Sequence, residues 1–378
     1  MNNTELMSNK LLKYQEKYAN NIFNNKPVTF LNFKIKSIKR RLTKSITASN
    51  LSPEIHKLNC LFETIDNDRT LRKYSSIFNK NRSLFSLSLY LKRRDKISTH
   101  YGYSNFNKAL TAKLKLMFGN SFNFIDFCKN IMNICTRKIK LLPSNDKVVF
   151  FVDETELTNY LEKISPRLNK FYNCIKQNNR IFPNYTTFGA LTIHFPISNK
   201  DYIMINDVHS NTDYLLHELG HIIYNKLKYN NPTLLLRYDL CDEIISSAIQ
   251  YLYLNLGVRL DKKFLNIYRE FLSRVQILAL NIFFQLKIGY KNKLTNKSVN
   301  DLWHSLTHLL GIKVETTRPF SFDNYFNLNM SLAETTKYFI GKSIPILLEQ
   351  QGCLSYDFIT NFLTKACIAN NLDFINKI

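Results

Sequence analysis

Glycine and proline are scarce in this sequence of 378 residues, which contains nine of each. Collagen-like chains, linker-rich chains and β-sandwiches need many such residues, so their scarcity argues against these architectures and favours long helices. The length suffices for two compact domains or for one large helical domain. No internal repeat and no low-complexity segment is present.

Paired cysteines are also missing. The seven cysteines are an odd number and no two form a CxxC pair, which argues against a disulfide framework or a zinc ribbon and favours a reducing compartment. Residues 1–5 contain no apolar h-region, and no apolar run approaches the roughly 18 residues of a spanning helix. We therefore expect no signal peptide, no transmembrane segment and a cytoplasmic or otherwise soluble protein. Delivery into another cell stays open.

Acidic residues are few in the N-terminal part of the chain. Residues 1–150 hold 28 Lys+Arg against 9 Asp+Glu, whereas the remainder holds 24 against 20. This asymmetry suggests an anionic partner, such as nucleic acid, an acidic membrane surface or an acidic protein. Two basic clusters stand out, at 34–44 and at 92–96, without a recognisable nucleic-acid-binding motif. The alternative is a solvated face whose lysines reflect an AT-rich genome.

A break near residues 142–145 suggests two parts, a basic helical N-terminal region at 1–145 and a second domain at 146–378. The pattern after the break predicts a buried strand at 147–152, helical structure at 154–178 and a turn at 183–185. Strands are predicted at 189–195 and 202–206, and they form a hairpin. The next helix begins near 210–213 and ends before Pro232.

That helix contains the sequence His217-Glu218-Leu219-Gly220-His221. Residues four apart project from one helical face, so both imidazoles can reach a single ion. Glu218 can lie beside the metal and accept a proton from a bound water, whose pKa zinc lowers to about 7. The alternative is a structural pair of histidines on a buried helix.

A catalytic zinc needs a third protein ligand and an open fourth position. The metzincin pattern is excluded, because Tyr224 and Leu227 occupy the positions of its glycine and third histidine. A second helix, predicted from residue 239 to about Gly257, offers Glu243 as the third ligand. Asp239 and Asp242 are competing candidates. We favour Glu243, partly because Asp242 points about 100° away on the same helix.

These segments resemble the oligopeptidase F and thimet oligopeptidase family, within the gluzincin zinc metallopeptidases. The resemblance covers roughly residues 180–260 and rests on a strand ending in Asn206, the HExGH sequence, and Glu243 followed after a short interval by Ser246. It implies zinc held by His217, His221 and Glu243. The family usually has a histidine where this chain has Tyr224, so membership of the wider gluzincin group is the safer expectation.

The expected fold is mainly α-helical with a small β-sheet beside the active-site helix, as in zincin-like metallopeptidases. The resemblance implies hydrolysis of a peptide or protein substrate with Glu218 as general base. A late tyrosine or histidine then stabilises the oxyanion, and Tyr338 and His308 are the candidates. One alternative is a basic nucleic-acid or acidic-surface binding protein whose HExxH helix is structural. Another is a peptidase that its basic region directs to an acidic partner.

Overall fold

The chain consists mainly of helices, as the scarcity of glycine and proline predicts. A computed structural model of the protein describes residues 3–24, 26, 30–31, 34–35, 37–38, 53–143, 150–183, 190–228, 240–288, 294–312, 322–326, 328, 332–369 and 372. The α-helices are α1 (Asn3–Phe23), α2 (Pro53–Asn67), α3 (Arg69–Asn81), α4 (Leu84–His100), α5 (Phe106–Phe118), α6 (Phe124–Leu141), α7 (Glu154–Ile164), α8 (Pro166–Gln177), α9 (Thr212–Lys228), α10 (Leu240–Leu260), α11 (Leu265–Ile288), α12 (Asn296–Leu309), α13 (Phe322–Tyr325), α14 (Leu332–Gln350) and α15 (Thr364–Ala369). The strands are β1 (Ile181–Pro183), β2 (Ala190–Phe195) and β3 (Lys200–Ile205).

The chain forms two compact units whose segments alternate along the sequence. The first unit comprises Met1–His56, Val148–Phe264 and Gly352–Ala369, and the second comprises Lys57–Lys147, Leu265–Gln351 and Asn370–Ile378. Each unit therefore draws on segments from both sides of residue 145. The functional division into a basic region at 1–145 and a catalytic domain at 146–378 stays a prediction.

The sheet of the first unit has the strand order β1-β3-β2. Strand β2 pairs antiparallel with β3, so that Thr192 lies opposite Ile203 and His194 opposite Asp201. The predicted hairpin is confirmed. Strand β1 pairs parallel with β3 and reaches Pro183, where the sequence suggested only a turn. Among the described residues, β2 forms one edge of the sheet.

Two other local predictions need revision. The strand predicted at 147–152 lies partly outside the described residues, and its described part at 150–152 is not a strand. There the Val152 N–H donates to the carbonyl of His209 at 3.0 Å. The helical stretch predicted at 154–178 is interrupted at Ser165, which follows α7 and caps α8 by accepting a hydrogen bond from the Arg167 N–H. Pro166 then occupies the first turn of α8, where its missing N–H costs nothing.

Helices α9 and α10 form the core of the first unit. Four apolar residues of α9 are fully buried; they are Leu215, Leu216, Leu219 and Ile222. Two buried polar pairs also join the helices. The Thr212 and Tyr253 hydroxyls lie 2.9 Å apart, and Gln250 donates to the Asp213 carboxylate at 3.1 Å. Satisfied polar groups of this kind fix one relative placement of the helices.

Gly257 does not end α10, as the sequence suggested, but lies inside it. A Cβ atom built at this position would lie 2.2 Å from the ring of Phe264. The glycine therefore admits an aromatic ring against the helix backbone.

Helix α11 lies at the centre of the second unit and packs against α6, α12 and α14. The segment Lys262–Ile288 is long and apolar enough to cross a membrane by length and composition, and 72% of its apolar window is buried within the protein. The core helix of a soluble protein has this same property, so the segment is weak evidence for a membrane span. Within the described residues, no other helix meets the criterion.

The excess of basic residues is larger in the second unit than in the first. The second unit holds 29 Lys+Arg against 13 Asp+Glu, and the first holds 23 against 16. The predicted basic cluster at 92–96 is not a continuous surface, because Arg94 is 1% exposed and Arg93 pairs with Asp68 at 2.7 Å. Most of the cluster at 34–44 lies outside the described residues.

Candidate metal centre

The two histidines of the HExxH sequence project from one face of α9. The rings of His217 and His221 lie with their centroids 4.8 Å apart and their planes at 88°. Burial of the opposite, leucine-rich face holds the helix against the core and fixes where the imidazoles point. The four-residue spacing therefore brings both rings to one place, as the sequence predicts.

Glu243 reaches the same place from α10. Its Oε2 atom lies 3.6 Å from Nε2 of His217, and its side chain is 5% exposed. Two ligand atoms bonded to a tetrahedral zinc at 2.0–2.1 Å lie about 3.4 Å apart. The separation between Glu243 and His217 thus matches that of two ligands of one ion.

A glycine allows the two helices to come this close. A Cβ atom built on Gly220 would lie 2.4 Å from Cα of Ser246, far inside the normal contact distance. The Ser246 hydroxyl donates to the backbone carbonyl of Glu243 at 3.3 Å, within its own helix. Small residues at both positions therefore set the interhelical distance on which the approach of Glu243 to His217 depends.

Asp242, a competing ligand candidate in the sequence, contacts a histidine instead. Its Oδ1 atom lies 2.6 Å from Nδ1 of His221. A carboxylate at this distance holds the proton on Nδ1, so that Nε2 is the nitrogen of His221 that could hold a metal. The third candidate, Asp239, lies outside the described residues.

Glu218, which lies between the two histidines in sequence, also reaches the imidazoles. One ligand atom each of His217, Glu218 and His221 lies within 4.8 Å of the others. The Glu218 side chain is buried, and its Oε2 atom accepts a hydrogen bond from the Thr192 hydroxyl at 2.6 Å. Burial raises the pKa of Glu218, while His221 and Thr192 oppose that rise.

The surrounding charges favour a cation. Burial alone would lower the pKa of His221, but the carboxylates of Asp242, Glu218 and Glu243 together raise it to about 10. Two imidazoles and a carboxylate form a donor set that suits zinc. The donors that the chain brings together here therefore fit a zinc ion.

Two carboxylates, Glu218 and Glu243, reach the pair of imidazoles. Their surroundings differ. Glu218 Oε2 is engaged by a hydroxyl from the sheet, whereas Glu243 Oε2 lies directly beside His217 Nε2. This difference favours Glu243 as the ligand and Glu218 as the carboxylate that handles a proton.

Tyr338 and His308, the oxyanion candidates of the sequence, belong to the second unit. Tyr338 is partly buried in α14, with Lys337 Nζ 4.9 Å from its ring centroid. His308 is exposed near the end of α12, where its carbonyl accepts a hydrogen bond from the Gly311 N–H. Their roles stay predictions.

The prediction from sequence assigns no side-chain role to two groups near helix α9, Thr192 and His194. His194 forms a buried polar cluster with Asp201 and Asn225, in which His194 Nδ1 lies 2.7 Å from Asp201 Oδ1 and Asn225 donates to the same oxygen at 3.2 Å. The alternation of β2 shows that Thr192 and His194 share a face, but the sequence does not show what that face contacts.

No family model and no curated protein matches the sequence. Among solved structures, the fold is similar to a protein of Bacillus anthracis str. Ames assigned as an oligoendopeptidase F. The identity is 13%, the TM-score is 0.48, and the match covers 97% of this chain and 83% of that one. It is also similar to PZ peptidase A, solved with an inhibitor, at 12% identity, a TM-score of 0.42 and coverages of 99% and 86%. Because both TM-scores fall below 0.5, the function must be inferred from the residues of the site.

Proposed function

We propose that the protein is a zinc-dependent peptidase of the gluzincin type. The observation that carries this proposal is the convergence of His217, His221 and Glu243 from two packed helices, with Glu218 beside them. The 3.6 Å separation of His217 and Glu243 is the most specific part of that geometry. A pair of structural histidines does not require a third ligand residue from the neighbouring helix.

The proposed ligands are His217, His221 and Glu243. A zinc ion held there would act as a Lewis acid on the scissile carbonyl and would lower the pKa of a bound water to about 7. Asp242 orients His221 through its Nδ1 atom. Glu218 accepts a proton from the attacking water and delivers it to the leaving amine, as a buried carboxylate with a raised pKa is suited to do.

The proposed substrate is a peptide or a protein. Within the described part of the chain, β2 is an edge strand whose Thr192 contacts Glu218, so an extended peptide paired with β2 would lie beside the proposed base. Tyr338 and His308 remain the proposed donors to the oxyanion.

The first experiment measures the zinc content of the purified protein and of the variants His217→Ala and Glu218→Gln. We expect about one zinc in the wild type, none in His217→Ala and an unchanged amount in Glu218→Gln. Cleavage of a peptide library should then be abolished in Glu218→Gln, which keeps the metal. Absence of zinc from the reconstituted wild type would overturn the proposal.

We further propose that the basic N-terminal region binds an anionic partner through helix α3, as a property additional to catalysis. Helix α3 has no acidic residue, and its exposed basic side chains recur at helical spacing; they are Arg69, Arg72, Lys73 and Lys80. Such a stripe can follow a row of phosphates. Binding to duplex DNA should weaken steeply with salt, and Arg72→Glu with Lys73→Glu should remove it. Equal binding by the double variant would exclude this surface.

A further inference from the structure

The hydroxyl of Thr192 makes a short, direct contact with the proposed base. Thr192 Oγ1 lies 2.6 Å from Glu218 Oε2 and 3.1 Å from the backbone carbonyl oxygen of Glu218. A hydroxyl has a single proton to donate. The shorter distance is typical of an O–H donating to a carboxylate, so the carboxylate is the principal acceptor.

This contact distinguishes the two oxygens of the Glu218 carboxylate. Oε2 is engaged from the sheet side by Thr192, which leaves Oε1 as the oxygen for proton transfer. Glu218 is only 7% exposed. A buried carboxylate without a fixed donor could rotate about its last side-chain bonds, and a misplacement of about 1 Å can cost roughly 100-fold in rate.

A second link, which runs through Asp201 of β3, joins the sheet to the same helix without touching the carboxylate. His194 lies two residues after Thr192 and therefore on the same face of β2. It binds Asp201, which in turn accepts a hydrogen bond from Asn225. Asn225 lies seven residues, or two turns, after Glu218 on α9. The sheet is thus attached to the helix at two points, through Thr192 of β2 and through Asp201 of β3, and Thr192 provides the one at the base.

We propose that Thr192 is a positioning residue for Glu218, holding its carboxylate in the orientation that accepts a proton from the attacking water. This inference rests on the proposed function, because it assigns a purpose to the base of that reaction. It attributes the effect to the hydroxyl itself. The other contact between sheet and helix, from Asp201 to Asn225, contributes to stability alone.

The test compares Thr192→Val, which keeps the shape and removes the hydroxyl, with Thr192→Ser, which keeps the hydroxyl. We expect Thr192→Val to lower kcat by about 10- to 100-fold, the size of a lost hydrogen bond to a charged group. KM and the zinc content should stay as in the wild type. Thr192→Ser should stay within about threefold of the wild-type kcat.

Asn225→Ala provides the matched control, because it removes the second contact and leaves the carboxylate untouched. It should lower the melting temperature and leave kcat unchanged. Crystal structures of the metal-free variants show the rotamer of Glu218, which is a readout independent of activity. Glu218 should leave its wild-type rotamer in Thr192→Val and keep it in Thr192→Ser.

Three results would overturn the inference while the proposed function stands. They are an unchanged kcat in Thr192→Val, equal losses in Thr192→Val and Thr192→Ser, and an equal loss in Asn225→Ala. A wild-type protein that holds no zinc and cleaves no peptide would instead overturn the proposed function, and with it this role of Thr192.

Discussion

Each of the two units buries charged side chains, but the charges have opposite signs. In the first unit Glu218 and Glu243 are 7% and 4% exposed. In the second unit Arg94 and Lys113 are 1% and 8% exposed. Burial of an ionised group is costly in both cases, so each unit must compensate the charge in some way.

The two units compensate in different ways. In the second, Arg94 lies over the ring of Phe106 at 4.8 Å and donates to Gln285, while Lys113 lies over Phe62 at 4.3 Å. Burial lowers the pKa of Lys113 to about 7, against the attraction of Asp66. Ring faces and a lowered pKa thus offset the cost of burying these cations. In the first unit the carboxylates instead surround imidazoles, an arrangement that a bound cation would complete. Only the first cluster is therefore a candidate site.

The largest expected effect comes from removing a carboxylate of the first cluster. Glu243→Ala should abolish stoichiometric zinc binding, because two imidazoles alone hold the ion weakly. Zinc at 100 times Kd should stabilise the wild type by about 2.7 kcal/mol, and the variant should show no such gain in a thermal melt.

Glu162→Ala, at an exposed glutamate of the same unit, serves as the control and should respond to zinc like the wild type. Retention of one zinc by Glu243→Ala, together with its loss in Glu218→Gln, would reverse the roles of the two carboxylates.

The next effect comes from separating the helices that carry the ligands. The Cβ atom of Gly220→Ala would meet the backbone of Ser246, which cannot rotate away. Overpacking of this kind costs about 1–3 kcal/mol, and the helices must also move apart. Calorimetry should show a lower melting temperature, and zinc affinity should fall with it. Wild-type stability of Gly220→Ala would mean that the helices are not held at this distance.

The parts of the site that the sequence predicts are the local ones. The four-residue spacing of His217 and His221 and the alternation of β2 are visible in short segments, and the structure confirms both elements. Glu243 is favoured partly on its direction around the predicted helix, and in the structure it lies beside His217. Each of these depends only on the periodicity of one or two elements.

The parts that the sequence does not predict depend on where separate elements meet. Asp242 was expected to point away from Glu243, but the local sequence does not show that His221 lies in that direction. The partner of Thr192 depends on the placement of β2 against α9. Gly257 suggested a helix end because glycine is common there. Its contact with the ring of Phe264, which explains a glycine inside the helix, is not visible in the sequence. The cluster at 92–96 looked exposed because the partners of Arg93 and Arg94 are distant in sequence.

A smaller effect follows from the orientation of a ligand. Asp242→Asn should lower zinc affinity by about 10- to 100-fold, the usual cost of losing a carboxylate that orients a ligating histidine. Isothermal titration with zinc measures it. Asp261→Asn, outside the cluster, should leave affinity unchanged. If Asp242→Asn abolished binding as completely as Glu243→Ala, Asp242 would itself be a ligand.

The smallest effect concerns the second unit, where the buried cation Lys113 belongs to no candidate site. The pKa of Lys113 is about 7 in the folded state and lies below its ordinary value of 10.5. The unfolded state therefore binds more protons between these values, and stability should rise as pH increases from 7 towards 10.5. Lys113→Met should stabilise the protein by about 1 kcal/mol near pH 6.5, since a fitted apolar side chain often replaces a buried charge favourably. The gain should shrink at pH 9.5. Lys115→Met, at an exposed lysine of the same helix, should show neither effect.

Thermal melts at the two pH values measure this difference. A destabilised Lys113→Met at pH 6.5 would show that the buried ammonium itself contributes to the core.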